Sequence, residues 1–412
     1  VLNMDNKKTY LSRNVLMASL TSFFTDISSE MIYPIIQAFV RSMTVSVGPV
    51  LGVMEGVAES LASILKVFAG YYSDKLEKRK LITIFGYSLS SCSKVLFFIP
   101  NIFALFLVRF FDKMGKGIRT APRDALIAES VPRELLGKAF GFQRGWDFAG
   151  AFLGTILIYY IVAKFVPGLD NIVKGKGAVS PKDFYPIFGI VVFFAFIGVI
   201  FLFFTKDEKK KDPMAAAKPL AKPNLDFRKY DKNLQIFFLA QLIFTLGNSS
   251  NQFLLLQSTN ISGLLSTVLL MYILFNFTTF CFSMLFGGLS DKYGRKKFLI
   301  MGYSLYAIVY VAFGFISPNS SFLLWIFWPM YGLYYAMTDG VERAFVSEVA
   351  PVNSRATALG FYNTIVGIGL LPASIIAGFL FAVNHSFPFI FGGIMAVIAV
   401  FMIAVLVKEE KR

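Results

Sequence analysis

The chain has 412 residues, of which 56% are hydrophobic and 16% are charged, and its formal net charge is +15. A soluble domain averages about 25% charged residues, so this composition excludes a soluble fold and predicts a membrane protein with many spans. A net charge of this size in a soluble chain would suggest nucleic acid as the partner. The distribution of the charges in the loops, described below, favours membrane topology instead.

The cysteine and histidine content predicts neither a disulfide framework nor a histidine-rich metal site. Cys92 and Cys281 lie far apart in two apolar runs, where we expect buried free thiols, and His385 is the only histidine. The first 13 residues are polar and basic, and the apolar run from Val15 lacks an A-x-A cleavage pattern. This pattern indicates a retained first span rather than a signal peptide.

Twelve segments are long and apolar enough to be membrane-spanning helices, each of which needs about 20 largely apolar residues. The predicted fold class is therefore an all-α polytopic membrane protein with twelve transmembrane helices. The predicted spans are 14–40, 47–73, 81–100, 102–129, 136–165, 184–204, 234–260, 264–290, 298–316, 321–349, 355–383 and 387–407.

Lys and Arg residues concentrate on one side of this predicted topology. They occur at both termini, in the loops after spans 2 and 8, and in 205–233, which holds nine of them. Loops rich in Lys and Arg stay on the cytoplasmic side. We therefore expect both termini in the cytoplasm, in a bacterial cytoplasmic (inner) membrane, and we assign the positive charge to topology and anionic lipid. The other side carries only Arg41, Lys174, Lys176 and Lys182.

Three groups of short motifs recur in the same order, at offsets of 217, 216 and 219 residues. Such a repeat indicates two six-span halves in the same orientation, which is a transporter architecture. We expect an N-terminal six-helix bundle over 1–204, a cytoplasmic linker over 205–233 and a C-terminal six-helix bundle over 234–412. The recurring pairs are G-Y-Y-S-D-K (70–75) with G-G-L-S-D-K (287–292), G-Y-S-L at 86–89 and 302–305, and E-S-V-P plus A-F-G-F (129–132, 139–142) with E-V-A-P plus A-L-G-F (348–351, 358–361).

The repeated loop motif resembles the signature of the major facilitator superfamily (MFS) of transporters. G-G-L-S-D-K-Y-G-R-K-K at 287–297 is similar to the family's motif between spans 8 and 9, and G-Y-Y-S-D-K-L-E-K-R-K at 70–80 to its partner between spans 2 and 3, with Glu77 replacing the second glycine. Arg109, followed at longer spacing by Gly115 and Gly117, resembles the family's span-4 arginine motif. The resemblance covers essentially the whole chain. It implies the MFS fold and secondary transport.

The same resemblance implies a cytoplasmic gate. In the family, the Asp of the loop motif caps and braces neighbouring helix ends when the transporter faces outward. Carboxylates favour helix N-termini and basic side chains, and such contacts can release when two halves rock. A purely topological basic loop is the alternative. The implied gating residues are Asp74, Lys75, Arg79, Asp291, Lys292 and Arg295.

Seven charged residues of span 4 share one face of the predicted helix, within an arc of about 140°. If all seven faced lipid near mid-bilayer, the cost would be on the order of 20 kcal/mol, which exceeds a typical folding stability. The stripe must therefore face protein or water. Its members are Arg109, Asp112, Lys113, Lys116, Arg119, Arg123 and Asp124.

Other spans of the first half also carry charge on one helical face. Span 1 has Asp26, Glu30, Tyr33 and Gln37 at i, i+4, i+7 and i+11. Leaving out the residues within three positions of the span ends, spans 1 to 5 together hold seven acids and eight bases. These groups could pair with one another, or they could line a polar cavity whose acids take up protons; both interpretations stay open. The remaining members are Glu55, Glu59 and Lys66 in span 2, Lys94 in span 3, and Gln143, Arg144 and Asp147 in span 5.

Hydrogen-bonding groups replace these acids in the second half. L-G-N-S-S-N-Q at 246–252 roughly matches T-D-I-S-S-E-M at 25–31, which makes Asn248 and Asn251 candidate site residues. We assign no aromatic cage to the abundant Phe and Tyr residues. The expected arrangement is a charged, proton-handling first half facing a polar second half across one central cavity. Further polar residues are Asp339, Glu342 and Arg343 in span 10 and Asn363 in span 11.

The leading functional prediction is secondary active transport of a small charged or amphipathic solute by alternating access. Protons are the expected coupling ion, and acids in span 1 resemble those of the family's proton-coupled drug exporters. Span 5 has Gly-Thr at Gly154, where the family's antiporters have Gly-Pro, which argues against antiport without deciding between symport and antiport. The predicted substrate or proton site comprises Asp26, Glu30, Tyr33, Glu55, Glu59, Arg109, Asp112, Lys113, Lys116, Arg144, Asp147, Asn248 and Asn251.

Several alternatives remain at this point. Uptake or exchange of an organic acid or siderophore would use the basic stripe of span 4, because Arg suits carboxylate and phosphate. A divalent metal transporter and a non-transporting membrane sensor are more remote. The sequence has no H-E-x-x-H, G-x-S-x-G or P-loop motif, so we expect no enzyme. We also expect no cofactor and no resident metal, a small-molecule substrate, a lipid bilayer, no nucleic acid and a monomer.

Overall fold

The computed structural model describes residues 11–76, 78–131, 136–165, 180–207, 227–350 and 355–407. These residues form α-helices joined by turns and short 3-10 segments, and they contain no β-strand. The α-helices in these ranges are α1 (Arg13–Ile32), α2 (Ile36–Arg41), α3 (Val47–Leu76), α4 (Arg79–Ser93), α5 (Ile102–Glu129), α6 (Leu136–Phe165), α7 (Tyr185–Phe203), α8 (Lys232–Gly247), α9 (Gln252–Ser262), α10 (Leu265–Tyr293), α11 (Arg295–Phe315), α12 (Leu324–Val349), α13 (Arg355–Val383) and α14 (Phe387–Leu406).

These helices follow the predicted spans closely, and two spans are divided. Predicted spans 102–129 and 355–383 coincide with α5 and α13, and α5 is continuous through Pro122. Span 1 divides into α1 and α2 at a 3-10 turn around Pro34, which has no backbone N–H to donate. Span 7 divides into α8 and α9 at Asn248–Asn251. Broken helices in corresponding spans of two halves are typical of transporter binding sites.

Polar residues concentrate in five of the predicted spans. Within the described residues, seven helical segments are long and apolar enough to cross a membrane by length and composition, and they correspond to spans 3, 5, 6, 8, 9, 11 and 12. Spans 1, 2, 4, 7 and 10 carry charged or amide residues or a helix break. The seven apolar segments therefore meet the length and composition that a bilayer requires, and the polar five supply most of the predicted site residues.

A lysine contact of the loop motif recurs in both sequence halves. Lys80 Nζ donates to the carbonyl of Thr205 just beyond α7 at 2.6 Å, and Lys296 Nζ donates to the carbonyl of Val407 just beyond α14 at 2.7 Å. A cation at a helix C-terminus is favourable because the last carbonyls carry partial negative charge. Gly294 ends α10 with φ +100°, which a side chain would strain. Its counterpart, Glu77, lies outside the described residues.

The chain divides into two compact units, which we call unit 1 and unit 2. Unit 1 comprises 1–35, 61–166 and 180–223, and unit 2 comprises 36–60, 167–179 and 224–412. The assignment of 36–60 to unit 2 means that α2 and the first half of α3 cluster with the second half of the sequence.

Unit 1 is built on close helix contacts at glycines. α1 packs against α6 and α7, and α4 packs against α5. A Cβ added at Gly150 of α6 would lie 2.5 Å from the carbonyl oxygen of Phe23 in α1, and one at Gly115 of α5 would lie 2.4 Å from that of Gly86 in α4. Only glycine lets the two helix backbones come this close at these positions. Small residues have the same role in membrane helix pairs generally.

Unit 2 has the same kind of contact between α3 and α13. A Cβ added at Gly52 would lie 2.4 Å from the carbonyl oxygen of Ser374, so the two backbones nearly touch. Gln37 Nε2 in α2 donates to Thr259 Oγ1 in α9 at 3.0 Å. These contacts tie the 36–60 segment to the rest of unit 2.

Our prediction of buried cysteines was wrong. Cys92 and Cys281 are free and both are exposed on the protein surface. An apolar sequence context indicates burial in a soluble protein, but in a membrane chain it is equally typical of residues that face lipid.

Candidate functional site

Asp112 of α5 is the centre of a buried charged group in unit 1, which we call the Asp112 cluster (Ser90, Lys94, Arg109 and Asp112). The Ser90 hydroxyl donates a short hydrogen bond to Asp112 Oδ1. Lys94 Nζ lies 4.0 Å from the same oxygen, and Arg109 Nη1 lies 3.8 Å from Oδ2. All four residues are buried. One carboxylate is therefore shared by two cations, each of which would be costly without it.

The span-1 motif T-D-I-S-S-E-M supplies further partners of this cluster. Lys94 Nζ donates to the hydroxyls of Ser28 at 2.8 Å and Ser29 at 3.0 Å. The guanidinium of Arg109 lies 5.7 Å from the centre of the Tyr33 ring, within cation–π range. Tyr33 and Arg109, both predicted site residues, are thus brought together.

A second polar network, which we call the Arg123 network (Ser22, Arg123, Gln143 and Asp147), joins α1, α5 and α6. Arg123 Nη1 donates to Ser22 Oγ at 2.8 Å, and Gln143 Nε2 donates to Ser22 Oγ at 3.3 Å and to Asp147 Oδ1 at 2.6 Å. The exposed Arg144 lies 3.5 Å from Asp147 Oδ2. The predicted span-5 residues therefore contact one another and α1.

The charged stripe of α5 lies mainly against protein. Five of its seven members are buried, with exposed fractions of 3–8%, whereas Asp124 is half-buried and Lys116 is exposed. Arg119 is among the buried five, and its guanidinium lies 4.1 Å from the centre of the Tyr87 ring. The energetic argument against a lipid-facing stripe therefore holds for most of its length.

The predicted acids of spans 1 and 2 fall into different units. Asp26 and Glu30 are half-buried in unit 1, where Asp26 interacts electrostatically with Asp147, Lys116 and Arg119. In unit 2, Glu55 is fully buried and Glu59 is half-buried. Within the described residues, no group of three His, Cys, Asp or Glu side chains could hold a metal ion.

Unit 2 carries a group of amides and phenols at the break in span 7, which we call the tyrosine–amide cluster (Asn248, Asn251, Tyr331, Tyr334 and Tyr335). The Tyr331 hydroxyl donates to Asn251 Oδ1 at 2.7 Å, and Asn251 Nδ2 donates to the Tyr335 hydroxyl at 3.2 Å. Asn248 Nδ2 donates to the Tyr334 hydroxyl at 3.3 Å. The two predicted amides thus face α12 phenols that sequence reasoning did not single out, because aromatic residues are abundant throughout the chain.

Glu342 of α12 is a buried carboxyl of unit 2 that was missing from the predicted site. Its partners are hydroxyls: Tyr303 of α11 lies 2.8 Å from Oε1, and Tyr362 of α13 makes a short hydrogen bond to Oε2. The Tyr303 hydroxyl is also 2.5 Å from Oε1 of Gln241 in α8. The sequence signal for Glu342 was its place in an apolar span, but nothing local indicated neutral partners on two other helices.

The loop-motif arginines form one ion pair in each unit. Arg79 Nη2 lies 2.8 Å from Glu129 Oε1, and Arg295 Nη1 lies 3.2 Å from Glu348 Oε2. Lys292 is exposed, with Nζ 5.3 Å from the centre of the Tyr293 ring. The side chains of the other predicted gating residues, Asp74, Lys75 and Asp291, lie outside the described part of the structure.

The sequence matches the family model of the Major Facilitator Superfamily over residues 18–275 and again over 236–412. The chain belongs to the major facilitator superfamily. It is 36% identical over 406 residues to an uncharacterized MFS-type transporter of Methanocaldococcus jannaschii, across 96% of this chain and 95% of the relative. A shorter match, 28% identical over 128 residues, covers 31% of this chain and 32% of the quinolone resistance protein NorA of Staphylococcus aureus.

Solved structures of other transporters share the fold. The nucleoside transporter NupG aligns with a TM-score of 0.71 at 14% identity, over 96% of this chain and 100% of that protein. A D-xylose-proton symporter aligns with a TM-score of 0.75 at 17% identity, over 97% and 99%. At these identities the likeness shows the fold alone. The resemblance found in the sequence and the twelve-helix prediction are confirmed, and the chain is an integral multi-pass member of a family of transporters rather than enzymes.

Proposed function

We propose that this chain is a secondary active transporter that moves a small charged or amphipathic solute by alternating access and couples this movement to protons. The coupling proton replaces any cofactor in this scheme. Three features of the described residues support it: the carboxyl of Glu342, the half-buried acids of unit 1 and the tyrosine–amide cluster of unit 2.

The observation that carries proton coupling is the neutral surroundings of Glu342. A buried carboxylate is costly unless a cation or a proton neutralises it. The groups that contact the Glu342 carboxyl are the phenols of Tyr303 and Tyr362. The nearest cation on its own helix, Arg343, pairs with Asp339 at 3.2 Å. A bound proton is the simplest way to neutralise Glu342 in this setting.

Asp26 and Glu30 are the proposed proton-handling residues of unit 1. Both are half-buried, and the electrostatic interactions of Asp26 include Asp147, which shares its sign, and Lys116 and Arg119, which oppose it. A proton or a charged solute that arrives here would change the charge balance that these residues hold. Such a change is what biases a two-state transporter toward one state.

The tyrosine–amide cluster is the proposed solute-binding surface of unit 2. Its phenol rings offer apolar faces, and its hydroxyl and amide groups donate and accept hydrogen bonds, as small-molecule sites in proteins commonly do. Asn248, Asn251 and Tyr335 are each half-buried rather than sealed in the core. This combination suits an amphipathic solute with an aromatic or apolar body.

An anionic solute is the second candidate, because the buried charges of α5 and of Lys94, which directly follows α4, are mostly positive. Of the six buried charged residues there, only Asp112 is acidic. Arginine is suited to carboxylate and phosphate because its planar group donates two parallel hydrogen bonds. An organic acid or a siderophore would find its counter-charge here. The buried bases are Lys94, Arg109, Lys113, Arg119 and Arg123.

The proposed setting is the cytoplasmic membrane, with the chain as a monomer and both termini inside. The support for this orientation is the excess of Lys and Arg at the termini, after spans 2 and 8 and in 205–233. In that orientation the loop-motif ion pairs of Arg79 and Arg295 lie on the cytoplasmic side and serve as gate contacts.

Proton coupling is tested with purified protein in liposomes that enclose a pH-sensitive dye. Organic anions and lipophilic cations are added in turn, and solute-driven proton movement is recorded. In Glu342→Gln we expect this proton movement to be lost while exchange of labelled for unlabelled solute continues, because exchange needs no net proton release. The double variant Asp339→Asn with Arg343→Gln, which removes the neighbouring ion pair on the same helix as a unit, should keep it. Proton movement that survives in Glu342→Gln would exclude Glu342 as the coupling site.

The same liposomes separate the two solute classes. Transport of lipophilic cations that is lost in Asp26→Asn or Glu30→Gln supports the leading proposal. Transport of organic anions that is lost in Arg109→Ala or Lys113→Ala supports the second candidate. If neither class is moved against its gradient, secondary transport of charged solutes is excluded for the panel tested.

A further inference from the structure

We infer that Tyr303 is a positioning residue that transmits the protonation state of Glu342 to the broken span 7, by reversing the direction of a hydrogen-bond chain that ends on Gln241. This inference rests on the proposed function, since it requires that Glu342 gain and lose a proton during transport. It adds the path by which that proton changes the structure.

Tyr303 has one hydroxyl proton and two acceptor oxygens within reach. Its oxygen lies 2.5 Å from Gln241 Oε1 and 2.8 Å from Glu342 Oε1, and all three residues are buried. A hydroxyl can donate only one hydrogen bond. In one of the two contacts, the proton must therefore come from the partner residue, and the Tyr303 oxygen must accept it.

When Glu342 is protonated, every polar group in this chain of hydrogen bonds has a partner. The Glu342 carboxyl donates through Oε1 to the Tyr303 oxygen, and Tyr303 donates its own proton to Gln241 Oε1. The second carboxyl oxygen accepts from Tyr362. In this arrangement each buried oxygen of the hydrogen-bond chain has a donor, and an unsatisfied buried polar group would be destabilising.

When Glu342 loses its proton, the direction of these hydrogen bonds must reverse. An ionised Glu342 can only accept, so Tyr303 must turn its hydroxyl toward Glu342 and away from Gln241. The carbonyl oxygen of Gln241 would then face a lone pair at 2.5 Å. The amide of Gln241 must turn over to present Nε2, or the contact must open. Either response moves a side chain of α8.

Gln241 lies two helical turns before the break in span 7, on the same face of α8 as Asn248. The α8–α11 contact continues from Gln241 toward the break. The ring of Phe244 stacks on that of Tyr303 with centres 3.9 Å apart, and the Tyr306 hydroxyl donates to the carbonyl oxygen of Gly247 at 2.9 Å. Gly247 is the last residue of α8, so a shift at Gln241 is carried to the point where the helix opens.

Other titratable groups around Glu342 do not replace this path. Asp339 and Arg343 on the same helix pair with each other, and Tyr334 is a further phenol nearby. Phenols ordinarily stay protonated up to about pH 10. Tyr362 contacts the same carboxyl as Tyr303, but from α13, and among the described residues its hydroxyl makes no hydrogen bond to α8; its removal is therefore the matched control.

The test measures hydrogen–deuterium exchange of the full-length protein in lipid nanodiscs at about pH 5.5 and about pH 8, with labelling times scaled for the pH dependence of intrinsic amide exchange. The reporter is the peptide over 244–256, which spans the break. The protonation of Glu342 is followed separately in infrared difference spectra, as the protonated-carboxyl band that disappears in Glu342→Gln. This second readout tests the proton step of the proposed function independently of the relay.

In the unmodified chain we expect the pH change to alter exchange across the break at least twofold. Tyr303→Phe should abolish this response while the carboxyl band still titrates, and Gln241→Met should do the same from the α8 side. Tyr362→Phe, an identical chemical change on the same carboxyl, should keep the response.

A span-7 response that persists in both Tyr303→Phe and Gln241→Met would overturn the relay and leave proton binding at Glu342 intact. Absence of a titrating carboxyl band in the unmodified chain would overturn the relay together with the proton step of the proposed function. Equal loss of the response in Tyr362→Phe would also overturn it, because the effect would then belong to the carboxyl's general surroundings rather than to the path through α8.

Discussion

Arg79 and Glu129 form an ion pair in unit 1, with Nη2 2.8 Å from Oε1, that Arg295 and Glu348 repeat in unit 2 at 3.2 Å. Each arginine belongs to the repeated loop motif, and each glutamate begins a repeated E-x-x-P motif, at offsets of 216 and 219 residues. Each pair joins the loop after span 2 or 8 to the end of span 4 or 10. Two motifs that recur in the sequence are therefore partners in the fold.

The unit 1 pair is expected to stabilise the protein more than the unit 2 pair. Arg79 and Glu129 are 11% and 24% exposed, against 20% and 38% for Arg295 and Glu348, so water screens the first pair less. Arg295 also donates to the carbonyl of Ala344, a partner that remains when Glu348 is neutralised. Glu129→Gln should lower the thermal midpoint in detergent more than Glu348→Gln.

A double-mutant cycle isolates the contribution of the unit 1 pair. With Arg79→Met, Glu129→Gln and the double variant, we expect a coupling free energy of about 1 kcal/mol, the upper end for exposed pairs. The matching cycle with Arg295→Met and Glu348→Gln is the control and should give a smaller value. A larger coupling in unit 2 would contradict the ranking by exposure.

Neutralising Asp112 should be among the most destabilising single changes in unit 1. Asp112→Asn removes the negative charge that the buried Lys94 and Arg109 share, and breaking a buried pair in this way costs about 3–5 kcal/mol. The expected result is a large fall in the thermal midpoint, measured without any solute.

The double variant Lys94→Met with Asp112→Asn decides between the two interpretations of the charged spans. If these residues mainly pair with one another, removing a cation and an anion together should restore much of the lost stability. If the double variant is as unstable as the sum of the two single changes, the residues do not act as a pair, and a ligand-binding role gains support.

The helices and the charged stripe were predictable because each follows from a local rule. About twenty apolar residues are needed to cross a bilayer, so each span can be recognised from its own sequence. Seven charges on one face of α5 cannot face lipid, so the charged stripe can be derived from the sequence of α5 alone. The partners of Glu342 come from positions 39 and 20 residues away, one of them contacts Gln241 of α8 in turn, and no periodicity reports such contacts. The amides Asn248 and Asn251 were found from the repeat, but their phenol partners were hidden among 18 tyrosines.

Helix contacts at glycine give a prediction with an internal control in α6. A Cβ at Gly150 would lie 2.5 Å from the carbonyl oxygen of Phe23, whereas one at Gly145 would meet nothing within 4 Å. Gly150→Ala should therefore force α1 and α6 apart and cost about 1–3 kcal/mol. Gly145→Ala should be neutral or stabilising, because alanine is the better helix former.

Thermal midpoints of the two variants, measured side by side in detergent, check this prediction. Equal midpoints would mean that α1 and α6 separate without cost at Gly150, which is inconsistent with the close packing of unit 1.

The partial burial of His385, with the nearby charge of Arg41, predicts a pH dependence of stability outside the membrane-spanning segments. Arg41 at the end of α2 donates to Asn260 at 2.7 Å, and His385 lies in the turn between α13 and α14. Partial burial, with a smaller contribution from the charge of Arg41, lowers the pKa of His385 from its ordinary value of 6.5. The unfolded chain therefore binds a proton at His385 more readily than the folded protein does.

The sign of the effect follows from linkage: where the unfolded state binds more protons, stability falls as pH falls. His385 should have no effect well above its ordinary pKa and should destabilise the protein progressively as pH drops through that value toward the lowered one. The measurement is the difference in thermal midpoint between the unmodified chain and His385→Asn across about pH 5 to 8. Taking the difference cancels the contributions of other titrating groups, because these groups are present in both proteins. The difference should widen in favour of His385→Asn at low pH and should shrink in an Arg41→Gln background. A difference that stays constant with pH would mean that His385 has the same pKa in the folded and unfolded chains, and that neither its burial nor Arg41 acts on it.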